Sequence, residues 1–253
     1  MGRYIVIIGA QDKGMDGERA RTAGEQILKA VRRLYDKGMI DTFSGNVSVK
    51  LDEDTILITP GGSISQDGYP LSGDKIEITQ DDLARIDMQG NIVDGKAKPS
   101  SEWRMHAAAY KVLPKTRAVV HPHPVYTLSI FDAYAGDEEN AEKRTRLGLE
   151  GLRSALDKME EPEYYIGRIG GVGRLKNGSD ELANGVAAEL AKGATVVVLE
   201  AHGVTAVGPT LYKALGRAEA LEIAAMKRHY SLVTQAAINA SYGEPERTKR
   251  VGT

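Results

Sequence analysis

The chain has 253 residues, 42% of them hydrophobic and 27% charged, with a formal net charge of −2 and both signs interspersed. That is the composition of a globular protein long enough to bury a large core, and it argues against nucleic acid or an anionic membrane as the main partner. The chain contains no cysteine, which excludes a disulfide framework and a thiolate metal site and fits a reducing, cytoplasmic compartment. The apolar runs, such as Ala194–Leu199 and Tyr4–Ala10, are too short to span a bilayer, and no signal-peptide pattern opens the sequence.

Tyr4–Ile8 is β-branched and predicts a short strand. Gly9–Gly17 reads as a turn; Gly9 and Gly14 are not followed by Lys-Ser/Thr, so this is not a phosphate loop. Residues 1–17 are expected to be a peripheral extension. Glu18–Lys37 predicts a helix: Ala23, Ile27, Ala30, Val31, Leu34 and Tyr35 recur at helical spacing, and Gly38 ends it. Ser44-Gly45-Asn46 is a turn into a half-buried strand, in which Val47 and Val49 alternate with Ser48 and Lys50. A second strand at Thr55–Thr59 completes a hairpin. Pro60-Gly61-Gly62-Ser63 is a glycine loop whose free N–H groups suit an anion.

Lys75–Thr79 and Asn91–Val93 are further strand candidates, with a short turn beginning at Gln80. A helix is expected to open at Pro99-Ser100-Ser101-Glu102, with Ser100 or Ser101 as N-cap, and to stop before Pro114. Arg117–His121 is the next strand. Val125–Tyr134 reads as a helix, and so does Asp137–Lys158, with Leu147, Leu149, Leu152 and Leu156 on one side. Ile166–Gly178 is glycine-rich and expected to be loop, with a short strand near Ile166–Ile169. Ser179 caps a helix running to Lys192. Ala194–Leu199 is a buried strand that Val204–Val207 could continue. Thr210–Ala240 is a long helix, and a polar tail follows from Gly243. With no repeat and no low-complexity linker, one compact α/β domain over residues 1–253 is expected.

The chemistry concentrates in the histidines. His121 and His123 sit two apart at a strand end, where side chains at i and i+2 share a face and aim at one point. Nitrogen ligands so placed suit a metal, with zinc the default. His202 ends a second β-branched strand in the same way. Three protein ligands with a fourth position open is the catalytic zinc pattern. Glu102 is the nearest acidic candidate for a metal ligand or a general base. His106 lies one helical turn from Glu102 and suits a supporting role. His229, in the long C-terminal helix, suits a surface or subunit contact.

In order, Ser44-Gly45-Asn46-Val47-Ser48-Val49, Thr59-Pro60-x-Gly62, Pro99-Ser100-Ser101-Glu102, His121-x-His123 and His202-Gly203 resemble the class II aldolase/adducin family from about Leu28 to Glu222. Within it they are most similar to the aldolases that act on L-fuculose 1-phosphate. The resemblance implies a three-layer α/β fold with a central, mainly antiparallel sheet flanked by helices. It implies that His121, His123 and His202 hold Zn²⁺, or another divalent ion such as Co²⁺ or Mn²⁺, with Glu102 as the acid/base carboxylate. Gly45, Asn46, Gly61, Gly62, Ser100 and Ser101 would bind the substrate phosphate. The implied reaction cleaves a ketose 1-phosphate to dihydroxyacetone phosphate and an aldehyde through a metal-stabilised enediolate.

A homotetramer with active sites at subunit interfaces is also implied. Gly61 replaces a threonine of the aldolases, and Ser63 is its nearest substitute. An insertion at Asp137–Lys158 obscures the tyrosine that protonates the aldehyde end; Tyr164, Tyr165 and Tyr242 are the candidates. Pentulose-phosphate 4-epimerases share the plan but resemble Pro-Ser-Ser-Asp, where this chain has Glu102. Dehydratases of methylthioribulose 1-phosphate, deoxypentulose-phosphate aldolases and keto-acid phosphate decarboxylases share it too. Retention of the three histidines argues against a non-enzymatic, adducin-like role.

Overall fold

The computed structural model describes residues 9–61 and 75–242. In chain order the elements are α1 (Gly9–Asp36), β1 (Asn46–Lys50), β2 (Thr55–Ile58), β3 (Ala84–Asp87), β4 (Ile92–Asp94), α2 (Trp103–Val112), β5 (Ala118–His121), α3 (Val125–Ala135), α4 (Ala141–Leu156), α5 (Pro162–Tyr165), β6 (Arg168–Val172), α6 (Asp180–Ala191), β7 (Ala194–Leu199), β8 (Gly203–Gly208) and α7 (Leu211–Tyr242). The strands form one sheet in the order β4-β3-β2-β1-β5-β8-β7-β6. Every neighbouring pair is antiparallel except β6 with β7. No helix among the described residues is long and apolar enough to cross a membrane.

Both faces of the sheet are buried except at the exposed edge strand β4, which makes the fold a three-layer one. On one face Val47, Val120, Val196, Val198, Val204 and Ala206 pack against α1, α3, α4 and α7, through Ile27, Leu34, Phe131, Leu152 and Leu221. On the other, Ile56, Ile58, Ile86, Val119, Val197 and Val207 pack against α2 and α6, through Met105, Tyr110, Leu182 and Val186. Period-two alternation in the central strands thus delivers apolar side chains to both layers.

Several sequence expectations change. The Gly9–Gly17 segment belongs to α1 rather than to a turn; Ala10, Gln11, Lys13 and Met15 between its glycines are strong helix formers. The strand expected at Tyr4–Ile8, the loop residues Gly62 and Ser63, and the tail from Gly243 lie outside the described residues. Lys75–Thr79 alternates like a strand but is not one. Thr79 ends it by donating its N–H and hydroxyl to Asp82 Oδ2, both at 2.8 Å, and the strand that pairs with β2 is Ala84–Asp87. β1 is buried on both faces rather than half-exposed; Ser48 lies under the second helical layer, against His106 and Tyr110 of α2. The glycine-rich stretch after Ile166 carries β6, shifted towards Val172. Finally, α2 starts at Trp103 with Glu102 as its N-cap. Ser100 Oγ accepts from Glu102 N at 3.3 Å, so Ser100 shapes the turn before the helix rather than capping it.

Candidate metal centre

The register of the sheet places the ends that matter together. Asn46, the first residue of β1, lies opposite His121, the last of β5. Leu199, the last of β7, lies opposite Gly203, the first of β8. One end of the sheet therefore carries Asn46, His121, His123 and the turn Glu200-Ala201-His202. Two glycines allow that convergence. Gly45 has φ +74, and a Cβ there would meet Ile40 Cγ2 at 2.4 Å and the His121 carbonyl oxygen at 3.0 Å. A Cβ on Gly203 would meet Pro122 O at 2.7 Å, His123 Cδ2 at 2.8 Å and His121 Cε1 at 2.9 Å. The glycine after His202 is thus what lets the second histidine strand close on the first.

Glu102, His121, His123 and His202 each offer one ligand atom, all within 4.8 Å of one another. His123 Nε2 is 3.2 Å from His121 Nε2, and Glu102 Oε2 is 2.9 Å from His121 Nε2. Glu102 Oε1 approaches His202 Nε2 at 3.2 Å, without the alignment of a hydrogen bond. The backbone carbonyl of Val204 accepts from His121 Nδ1 at 2.9 Å. That bond holds a proton on Nδ1 and aims Nε2 at the others. Three imidazoles and a carboxylate gathered at one point offer the nitrogen and oxygen donors a divalent ion takes, so the donor set fits a metal ion.

The electrostatics agree. Burial pulls the Glu102 carboxyl upward, but the proximity of His121 and then His202 outweighs it and holds the group well below the carboxylate range. Burial, then His121 and His202, lowers His123 to about 3. An ionised carboxylate beside a neutral imidazole is the protonation state a divalent ion requires.

Other parts of the structure hold the histidine-bearing segments in place. Glu222 of α7 accepts from Tyr126 N at 2.9 Å and from Thr127 N and Oγ1 at 2.8 Å each. It caps α3 just beyond His123-Pro124, where that helix has no side-chain cap of its own. Arg144, within the segment read as an insertion, donates from Nε to Glu200 Oε1 at 2.5 Å. It anchors the turn carrying His202, in which Ala201 has φ +52, a conformation that persists in a non-glycine residue only when its surroundings impose it.

The other predicted residues divide. Asn46 is buried with both ends of its amide engaged: Nδ2 donates to Glu102 Oε2 at 3.1 Å and Oδ1 faces His106 Nε2 at 2.5 Å. Gly61 and Ser100 are neighbours through the Pro60–Pro99 bridge, with their N–H groups donated to Lys98 O and Thr59 O. Tyr164 and Tyr165 precede β6, whose start pairs with Ala194, so they sit at the opposite end of the sheet from His202. Tyr242 ends α7; its side chain lies outside the described residues.

Sequence reasoning missed Lys75, a buried cation that donates from Nζ to Gly45 O at 2.5 Å. Burial pulls its pKa down to about 8 against the opposing pull of Glu102 and Asp41. It also missed the hydrogen bonds of Ser48, His106 and Tyr110. Their signal was present in the spacing of Glu102, His106 and Tyr110, which share one helix face at i, i+4 and i+8.

Comparison with known proteins bears on this geometry. Residues 25–228 match the model of the class II aldolase and adducin N-terminal domain. The chain is 30% identical over 210 residues to the L-fuculose phosphate aldolase of Methanococcus vannielii, covering 81% of this chain and 94% of that one. It is 29% identical over 201 residues to the 3-oxo-tetronate 4-phosphate decarboxylase of Haemophilus influenzae, covering 78% and 82%. Among solved structures it is similar to a sugar-phosphate aldolase from Thermotoga maritima, with a TM-score of 0.66, 26% identity and coverage of 85% and 96%.

Proposed function

The chain belongs to the class II aldolase and adducin family, and on that premise we propose that it is a divalent-metal-dependent lyase, cleaving a ketose 1-phosphate of the L-fuculose 1-phosphate kind to dihydroxyacetone phosphate and an aldehyde. The observation that carries this reading is the convergence of Glu102, His121, His123 and His202 within 4.8 Å. Three imidazoles and a carboxylate are a donor set for zinc, with cobalt or manganese the alternatives. In this reading the histidines hold the ion and Glu102 is the acid/base group. The bound ion supplies Lewis-acid stabilisation of negative charge developing on a substrate oxygen.

Glu102 takes and returns the proton at the dihydroxyacetone phosphate fragment. It is ionised, buried and held by Asn46, as a base of fixed aim must be. The phosphate falls to the loops before it. The hydroxyls of Ser100 and Ser101 donate there, beside Gly61, Gly62 and Gly45, while the second hydrogen on Asn46 Nδ2 remains for a ligand. Fixing the phosphate in this way sets the register of the reacting carbons. Tyr164 and Tyr165 lie at the far end of β6 from the cluster of their own chain, so in a homotetramer the tyrosine of the aldehyde end would be supplied by a neighbouring copy. A charged phosphorylated substrate and a cysteine-free chain fit a cytoplasmic enzyme.

The likeness to a 3-oxo-tetronate 4-phosphate decarboxylase supports a second reading. There the same carboxylate and ion would serve loss of CO₂ from a keto-acid phosphate. Glu102→Gln tests both: the expected result is loss of turnover with the metal still bound, and normal turnover would refute the assigned role. Product analysis with each substrate class separates aldehyde from CO₂.

A further inference from the structure

Behind Glu102 a strand and a helix zip together. Residues two apart on β1 are about 6.6 Å apart, and residues four apart on α2 about 6 Å, so Asn46 and Ser48 keep step with Glu102, His106 and Tyr110. The bonds run Glu102 Oε2 to Asn46 Nδ2 at 3.1 Å, Asn46 Oδ1 to His106 Nε2 at 2.5 Å, His106 Nδ1 to Ser48 Oγ at 2.7 Å and Ser48 Oγ to Tyr110 Oη at 2.7 Å. Ser48, His106 and Tyr110 are all buried.

The direction of every bond follows from one end. Asn46 presents its NH₂ to Glu102, with Nδ2 donating to Oε2 at 3.1 Å while Oδ1 faces His106 Nε2. Its carbonyl oxygen then accepts, which puts a proton on His106 Nε2. Burial keeps His106 neutral, so Nδ1 is an acceptor and the Ser48 hydroxyl donates to it. Ser48 Oγ in turn accepts from Tyr110, whose phenol burial keeps protonated. Each link points its donor towards Glu102, and reversing the amide would set two acceptors face to face.

We propose that Ser48, His106 and Tyr110 form a one-way hydrogen-bond wire that locks the amide of Asn46 with its NH₂ towards Glu102, which makes His106 a positioning residue for the acid/base carboxylate. The wire rests on the reading of Glu102 as the proton-carrying group. Its polarity is a property of the fold and is independent of the metal.

¹⁵N-histidine-labelled protein, with and without bound zinc, tests the polarity directly. The signal assigned to His106 by its loss in His106→Gln should show the neutral tautomer protonated on Nε2 in both forms; an Nδ1-protonated tautomer would overturn the wire. Steady-state kinetics tests its purpose. His106→Leu should lower kcat roughly 10- to 100-fold with zinc content little changed and a smaller rise in KM, since Asn46 also faces the substrate. His106→Gln, which can donate to Asn46 and accept from Ser48, should restore most of that loss. The milder changes should attenuate with distance, Ser48→Ala losing more than Tyr110→Phe. Equal loss in the Leu and Gln variants, or a loss confined to KM, would refute the positioning role. If no sugar phosphate is turned over at all, the proposed function fails while the tautomer still decides the wire.

Discussion

Glu222→Ala is the perturbation that reaches furthest from a residue outside the metal centre. The carboxylate takes three hydrogen bonds, from Tyr126 N, Thr127 N and Thr127 Oγ1. Bonds to a charged acceptor contribute about 1.5–3 kcal/mol each when measured singly, but three on one group do not add. Losing an N-cap costs about 0.5–2 kcal/mol. Thr127 is fully buried, so its N–H and hydroxyl would be left without an acceptor at about 1–3 kcal/mol each. The low end of these ranges together is already roughly 3 kcal/mol, a large share of the about 5–15 kcal/mol that a domain has in hand. The second consequence is functional. The freed helix end begins two residues after His123, so zinc affinity should fall roughly 10- to 100-fold, as for other residues that orient metal ligands. Urea unfolding of metal-free protein measures the first effect, as a lower midpoint at an unchanged slope. Calorimetric titration with zinc measures the second. Glu222→Gln keeps one acceptor oxygen and should fall between. A stability loss under about 1 kcal/mol with unchanged zinc affinity would refute the coupling of α7 to the histidine pair.

Gly203→Ala should damage the metal centre more than the fold. Its Cβ would sit within 2.9 Å of Pro122 O, His123 Cδ2 and His121 Cε1, and overpacking of this kind costs about 1–3 kcal/mol. Zinc retained after dialysis should drop sharply, and full retention would show that the strand ends yield more easily than the geometry allows. Lys75 gives a pH signature. Its folded pKa of about 8 lies below the unfolded value of about 10.4, so from pH 8 to 10 the unfolded chain binds the extra proton. Stability should therefore rise with pH across that window, by up to about 3 kcal/mol, relative to Lys75→Met. Equal pH slopes in the two proteins would show that Lys75 is not buried as a cation.

The residues that gather in the candidate metal centre were legible because their signals are local. An H-x-H pair and a histidine-glycine each end a β-branched run, and strand period alone aims them. What brings the runs together is register: Asn46 opposite His121 and Leu199 opposite Gly203 are long-range pairings with no local signature. Lys75–Thr79 was misread because alternation also fits an irregular segment, and the choice fell to a Thr79–Asp82 cap and to competition from Ala84–Asp87 for the edge of β2. Ser48 looked solvent-facing because a polar residue between valines reads as the wet face of a two-layer sheet. A second helical layer on that side turns the same position into a buried polar one. Glu222 and Arg144 reach the site from α7 and α4 across more than 50 residues of chain, so only the folded structure shows what they hold.

At the heart of the proposed function, three histidines from two separate segments, beside Glu102, hold one ion. Elemental analysis of purified, dialysed protein measures this most directly, for the wild type and for a His123→Ala/His202→Ala pair. One divalent ion per chain in the wild type, and none in the double variant, is the predicted result. A metal-free wild type that zinc titration cannot load, or a double variant that keeps its full equivalent, would contradict it.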